Sequence, residues 1–255
     1  MSTAIEFRNL FFATRQGMLL LDNISLALEA GTTTAILGRS GSGKTTLLRT
    51  VNRMVEATSG DVLVSGKSVR DTDLIALRRG IGYVIQESGL FPHFTVERNV
   101  GLILEAEGRP RAERIQRSHA LLETVGLDPA TFSTRYPHQL SGGQRQRVGV
   151  ARALAAEPKV LLMDEPFGAL DPLTRAEMQE MMRDLMERMQ KTVVLVTHDL
   201  DEALYLADRI VLLSSGKVIA DLVPEAFMQS TEPEVEAYLH AFRRGVGSTA
   251  HGRSE

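Results

Sequence analysis

Cysteine is absent from the 255 residues. Disulfides and thiolate metal sites are thereby excluded, and the composition suits a reducing compartment. A large excess of charge of either sign is also missing: 29 Lys and Arg stand against 32 Asp and Glu, a formal net charge of −3. A nucleic-acid partner held by overall electrostatic attraction is therefore not expected. No stretch approaches the roughly 18 consecutive apolar residues of a membrane span. The opening residues, MSTAIEFRNL, lack the basic-then-apolar order of a secretory leader. A soluble cytosolic chain is expected, one that meets a membrane only through a partner.

What is present is an alternation of short apolar runs with helical patterns. TTTAILG (32–38), IGYVIQ (81–86), KVLLMDE (159–165), TVVLVTH (192–198) and RIVLLSSGKVIA (209–220) read as strands, the last a hairpin around Ser215-Gly216. Nearly continuous apolar strands separated by helices predict an α/β fold with a mostly parallel core sheet. Residues 5–28 alternate more regularly and predict an antiparallel N-terminal β flank. The strand signal vanishes between Phe94 and Glu157, so residues 89–157 are expected to form a helical subdomain. Met178, Met181, Met182, Met186 and Met189 recur at helical spacing, which core packing explains; a docking face is the alternative. Residues 244–255 are small and polar and are expected to be disordered, leaving 1–243 as a single domain.

GRSGSGKTT, from Gly38 to Thr46, follows a strand and opens a helix. That context fits a P-loop NTPase. Gly38, Gly41 and Gly43 let the backbone curl, with Arg39, Ser40, Ser42 and Thr46 completing a cradle for the phosphates of ATP. Lys44 is expected to reach the β- and γ-phosphates and Thr45 to ligate Mg²⁺. VLLMDEP ends a strand in two acids: Asp164 to hold Mg²⁺ and Glu165 to polarise the attacking water. His198 closes another strand on the edge where open α/β sheets bind ligands, and is placed to contact the γ-phosphate. Gln86 ends a strand in the same way and is placed near Mg²⁺ and water.

A second glycine-bearing loop, LSGGQRQR (140–147), needs its own explanation. Ser141 with Gln144 fits a capping box at a helix start. A helix start with free N–H groups is also an anion site. GRSGSGKTT, Gln86, LSGGQ, VLLMDEP, GALD and His198 occur in the order seen in ATP-binding subunits of ABC transporters, which the chain resembles over roughly residues 5–228. The resemblance implies an ABC nucleotide-binding domain that pairs head to tail with a second copy. Ser141, Gly142, Gly143 and Gln144 of one copy would then face the phosphate loop of the other, and Asp171 would contact the partner.

Closer still, GYVIQESGLFPHFT, RYPHQLSGGQRQRVGVARALAAEP and LLMDEPFGALDPLTR look like the ATPase subunits of osmoprotectant importers, which take up glycine betaine, choline and related quaternary amines. This implies a quaternary-amine-transporting ATPase, peripheral on the cytoplasmic face of the inner (plasma) membrane. It would work with transmembrane permease subunits, indirectly with a solute-binding protein, and with no nucleic acid. The permease coupling helix would dock near residues 87–96. An importer for an amino acid or oxyanion is the alternative, and a soluble ABC ATPase a further one. Many such relatives carry a C-terminal pair of CBS modules, which are not seen here, so regulation through them is not expected. One departure concerns the base: where the family usually has an aromatic that stacks on adenine, this sequence has Thr14, with Phe11, Phe12 and Arg15 as possible substitutes.

Overall fold

The computed structural model describes residues 2–86 and 89–250. Strands β1 (Thr3–Ala13) and β2 (Leu19–Glu29) form an antiparallel hairpin. Ala4, Ile5, Phe7 and Leu10 are buried with Leu21, Ile24, Leu26 and Leu28. The alternation of a sheet with one wet face holds only where the pairing is regular, and it slips by one residue where register shifts interrupt it between Phe7 and Leu10. Strand β3 (Thr33–Leu37) is buried along its whole length and feeds helix α1 (Lys44–Val51). Next come β4 (Ser59–Val64), the two-residue β5 (Lys67–Ser68), helix α2 (Leu74–Arg79) and β6 (Ile81–Val84).

No strand interrupts the described residues between β6 and β7. Helices α3 (Val96–Ala106), α4 (Arg111–Thr124), α5 (Pro129–Phe132) and α6 (Gly142–Leu154) fill that interval. The chain then alternates through β7 (Val160–Asp164), α7 (Pro172–Met189), β8 (Thr192–Val196), α8 (Leu200–Leu206) and β9 (Arg209–Ser214). It ends with β10 (Lys217–Leu222), α9 (Pro224–Met228) and α10 (Pro233–Ala250). Ser215 (φ 46°) and Gly216 (φ 78°) make the tight turn between β9 and β10, the geometry a two-residue hairpin favours.

Two sheets result. The larger has the order β10-β9-β3-β8-β7-β6, parallel except for the edge strand β10. The smaller is antiparallel, β2-β1-β4-β5. The expected α/β architecture, with its parallel core and antiparallel flank, is therefore present. The flank also recruits β4 and β5, which the sequence pattern did not reveal. Three hydrophobic clusters hold the layers: one joins α3, α4, α6 and α7 to a face of the large sheet, one lies between the sheets around α1, and one lies under α8 and α10. Met178 and Met182 are fully buried, and Met181, Met186 and Met189 pack against the first cluster; the methionine stripe is core.

The segment 244–255, expected to be disordered, overlaps α10, whose backbone is helical as far as Ala250; residues 251–255 lie outside the described residues. Among the described residues no helix is long and apolar enough to cross a membrane.

Candidate functional site

The loop between β3 and α1 is shaped by close approach. Gly43, the residue before α1, has φ 101°, and a Cβ there would stand 2.5 Å from the Leu20 carbonyl oxygen of β2. Gly41 has φ 80° and faces open space. Lys44 is buried, and its Nζ donates to the carbonyls of Gly38 (2.8 Å) and Arg39 (3.1 Å). Burial lowers its pKa, against the opposing pull of the Glu165 and Asp164 charges. The Ser42 hydroxyl is buried with no hydrogen-bond partner among the described residues. An orphaned donor in a concave loop is the kind of group an anion satisfies. Arg39, Ser40 and Gly41 are exposed on the rim, and Thr46 is half-buried.

Asp164 ends β7 at the same sheet edge and is buried. Thr45 Oγ1 donates to its Oδ1 at 2.7 Å. Its Oδ2 accepts from Tyr83 Oη (3.1 Å) and Arg49 Nη2 (3.3 Å). Burial raises the Tyr83 pKa, so the phenol stays a donor. Neither Tyr83 nor Arg49 was expected at the site: each lies on a different element, and only the packing of β6 against α1 and β7 brings them to one carboxylate.

Glu165, the next residue, has a left-handed backbone (φ 45°). Its N–H donates to the Val196 carbonyl at 2.9 Å, joining the ends of β7 and β8. Its Oε2 stands 3.3 Å from His198 Nδ1. Gln86 is exposed at the end of β6. Its amide and the Glu165 carboxylate both approach Gly168, where a Cβ would lie 3.4 Å from Gln86 Nε2 and 3.7 Å from Glu165 Oε2.

The turn carrying His198 is fastened on several sides. Thr197 Oγ1 donates to the buried Glu202 carboxylate, and the Asp199 N–H donates back to Thr197 Oγ1 (3.0 Å). Tyr238 of α10 donates its hydroxyl to the His198 carbonyl at 3.1 Å. Burial pushes the Tyr238 pKa up to about 12. A pocket of ≈ 730 Å³ opens between α10, the phosphate loop and His198.

The second loop forms a separate cluster. Ser141 Oγ accepts from the Gln144 N–H (3.2 Å), and Gln144 Oε1 accepts from the Ser141 N–H (3.0 Å); the expected capping box is present at the start of α6. Arg145 Nη1 donates to the Leu140 carbonyl just before the cap, and Arg147 Nη1 to the Val125 carbonyl. Gly143 packs against Thr174, where a Cβ would stand 2.3 Å from the Thr174 methyl carbon. Asp171 caps α7 by accepting from the Thr174 N–H (3.1 Å); hydrogen bonding to Thr174 lowers its pKa. Ser141, Gly142, Gly143, Gln144 and Asp171 thus stand around one helix junction. None of them lines the pocket of the phosphate loop or the small cavity beside Glu165 and His198. A link the sequence did not reveal runs between α6 and the Gln86 segment: Gln146 Nε2 donates to the Ile85 carbonyl (3.3 Å) and Arg152 Nη1 to the Gly89 carbonyl (2.7 Å).

Thr14 belongs to the β1–β2 turn. Its N–H donates to the Met18 carbonyl, and its hydroxyl accepts from the Met18 N–H at 3.2 Å. Phe12 packs against the core between the sheets, whereas Met18 and Leu19 are exposed. Expected permease-contact residues 87 and 88 lie outside the described residues. Beyond them, Asn99 is buried and donates to the Phe91, Phe94 and Thr95 carbonyls, which shapes the loop carrying exposed Phe91.

The sequence model of the ABC transporter family matches residues 21–168. The chain is 43% identical over 236 residues to the choline transport ATP-binding protein OpuBA of Bacillus subtilis, covering 92% of this chain and 62% of that one. It is 45% identical over 219 residues to the osmoprotectant import ATP-binding protein OsmV of Salmonella typhimurium, covering 85% and 57%. It thus spans less than two thirds of the length of either relative. A dimeric ATP-binding cassette solved in a post-hydrolysis state with ADP and Pi superposes with a TM-score of 0.77 at 34% identity, covering 86% of this chain and 98% of that one.

Proposed function

Because the chain belongs to the ABC transporter family, we propose that it is the ATP-hydrolysing subunit of an importer whose cargo is an osmoprotectant such as glycine betaine or choline. The relatives named for choline and osmoprotectant transport support this cargo. One observation carries the ATPase reading: the Thr45 hydroxyl of the phosphate loop is bonded at 2.7 Å to Asp164, a carboxylate 119 residues away. That bond supports assigning Thr45 and Asp164 to one phosphate and metal site. The donors of Thr45, Asp164 and Gln86 are all oxygens and suit Mg²⁺, a hard cation. Mg²⁺, when bound, supplies charge neutralisation of the phosphates.

The chain's own residues do the rest. Lys44 exchanges its two carbonyl partners for phosphate oxygens, and Ser42 finds the acceptor it lacks. Glu165 orients the attacking water and takes its proton. His198, fixed through the Glu165 contact, stabilises charge on the transferred phosphoryl group. Catalysis of this kind is mostly positioning and electrostatics. The cluster of Ser141, Gly142, Gly143, Gln144 and Asp171 lies apart from the chain's own phosphate loop, which supports its use by a second copy. ATP is then enclosed between two chains, as in the related dimeric cassette. Closure of the pair drives permease subunits that dock near Phe91, at the cytoplasmic face of the membrane, and a solute-binding protein delivers the cargo.

Glu165→Gln tests this reading. ATP binding is expected to persist while turnover falls about 10²- to 10⁴-fold, the scale of a lost general base. The variant should accumulate as an ATP-bound dimer in light scattering. Turnover at the wild-type rate would remove Glu165 from the mechanism.

A further inference from the structure

Val235, Tyr238, Leu239 and Phe242 follow one another along α10 at the i, i+3, i+4 and i+7 spacing, which puts all four on one side of a helix. Val235 and Leu239 are buried in the third cluster with Phe227 and with Leu200 and Ala203 of α8. Tyr238 and Phe242 are half-buried and pack against the same cluster. Because α8 starts at Leu200, just after His198, seating α10 on α8 also brings Tyr238 to the His198 turn. The ring lies on the cluster, and the hydroxyl donates to the His198 carbonyl at 3.1 Å. Tyrosine suits such a place because it joins an apolar body to a polar tip.

The His198 side chain is 62% exposed, with Glu165 Oε2 standing 3.3 Å from its Nδ1. Packing therefore does little to aim the imidazole, and the backbone that carries it does more. Towards the sheet that backbone is tied through Thr197, whose N–H donates to the Ile36 carbonyl of β3 (3.3 Å) and whose hydroxyl donates to Glu202. Towards α10 it is tied by Tyr238. Tyr238, His198 and the phosphate loop line one pocket. We propose that Tyr238 is a positioning residue for ATP hydrolysis: its hydroxyl holds the His198 carbonyl so that the imidazole stays aimed at the transferred phosphoryl group. The inference rests on the role given to His198 above. Tyr238 acts through His198 and not on the reacting atoms.

Burial, with the Asp199 charge adding to it, keeps the Tyr238 hydroxyl protonated far above neutral pH, so the donor is always available. Its acceptor lies 40 residues away in the sequence, and a fixed backbone carbonyl allows the bond one geometry. Small errors of aim are expensive at a reacting centre: a misplacement of about 1 Å can cost about 10²-fold in rate. Phenylalanine at 238 removes the donor and leaves the ring on the cluster. The turn then keeps its ties through Thr197, so the loss is expected to be partial.

The experiment is a double-mutant cycle read by steady-state hydrolysis of ATP with Mg²⁺ by the full chain: wild type, Tyr238→Phe, His198→Ala and the two together. The kcat of Tyr238→Phe is expected to fall about 3- to 10-fold, the scale of one neutral hydrogen bond, with KM for ATP within about twofold. His198→Ala is expected to fall about 10²-fold or more, and its residual rate is measured at raised enzyme concentration. In that background Tyr238→Phe should change kcat by less than about twofold, because the group it aims is gone. A tyrosine that only stabilises the fold would lower kcat by the same factor in both backgrounds, and that result would overturn the proposal. So would wild-type kcat in Tyr238→Phe beside a slow His198→Ala, or a rise in KM with kcat unchanged. Hydrolysis at the wild-type rate by His198→Ala would instead overturn the role given to His198, and the proposal with it. Circular dichroism melts of the four forms check that each is folded at the assay temperature.

Discussion

Replacing Gly43 by alanine tests how closely the phosphate loop is built against the antiparallel flank. At φ 101°, the new Cβ would lie 2.5 Å from the Leu20 carbonyl oxygen and 3.0 Å from Leu21 Cδ2. Leu20 lies in β2, which is paired to β1, so the oxygen cannot step aside without moving the hairpin. Gly41 is the matched control, with φ 80° and nothing within 4 Å of a Cβ. Left-handed backbone costs a residue with a side chain about 1–2 kcal/mol, and alanine recovers about 0.4–1 kcal/mol by stiffening the unfolded chain. Gly41→Ala should therefore destabilise by about 1 kcal/mol. The clash at Gly43 adds about 1–3 kcal/mol, for a total of about 2–4 kcal/mol. In a chain of this size 1 kcal/mol moves Tm by about 2–4 °C, so the control should lose about 2–4 °C and Gly43→Ala about 5–15 °C. Thermal unfolding followed by circular dichroism reads the difference directly. Equal losses in the two variants would refute the claim that the Leu20 carbonyl limits the loop.

Two further outcomes bear on the site. Ser141→Arg places a bulky cation where the second copy's phosphates are proposed to lie; hydrolysis should fall about 10²- to 10³-fold while ATP affinity of the isolated chain is unchanged. Parallel loss of binding and hydrolysis, measured by nucleotide titration, would point to damage within the chain instead. Thr14→Tyr should tighten ATP binding about 5- to 100-fold, the worth of one aromatic stacked on a base, and unchanged affinity would show that the base lies elsewhere.

The parts of the fold most legible in the sequence are those buried on both faces. β3, β7 and β8 read as strands because their residues, all buried, are apolar or threonine apart from Asp164 at the end of β7. β4 was missed because SGDVLV opens with an exposed serine, a glycine and an acid, and only Val62 and Leu63 reach the core. The continuation of α10 was hidden by small and polar residues, whose composition argues against order although Val235 and Leu239 anchor the helix start. At the site, Lys44, Thr45, Asp164, Glu165 and His198 were legible because strand ends and a glycine loop locate them without knowledge of packing. Arg49 and Tyr83 were not. Their meaning comes from carboxylates that other elements bring to them, and no local pattern marks an arginine or tyrosine for that use. Thr14 was legible as a departure, but its bond to the Met18 N–H, which ties its hydroxyl into the hairpin, was not.

Glu165 holds its carboxylate at the sheet edge on a left-handed backbone that glycine or asparagine adopts at lower cost. Under the role proposed for Glu165, the most stable sequence for this architecture is therefore not the working one. At this single residue, resistance to heat and turnover are in competition. The stability forgone there is a minimum estimate of how strongly function constrains that residue.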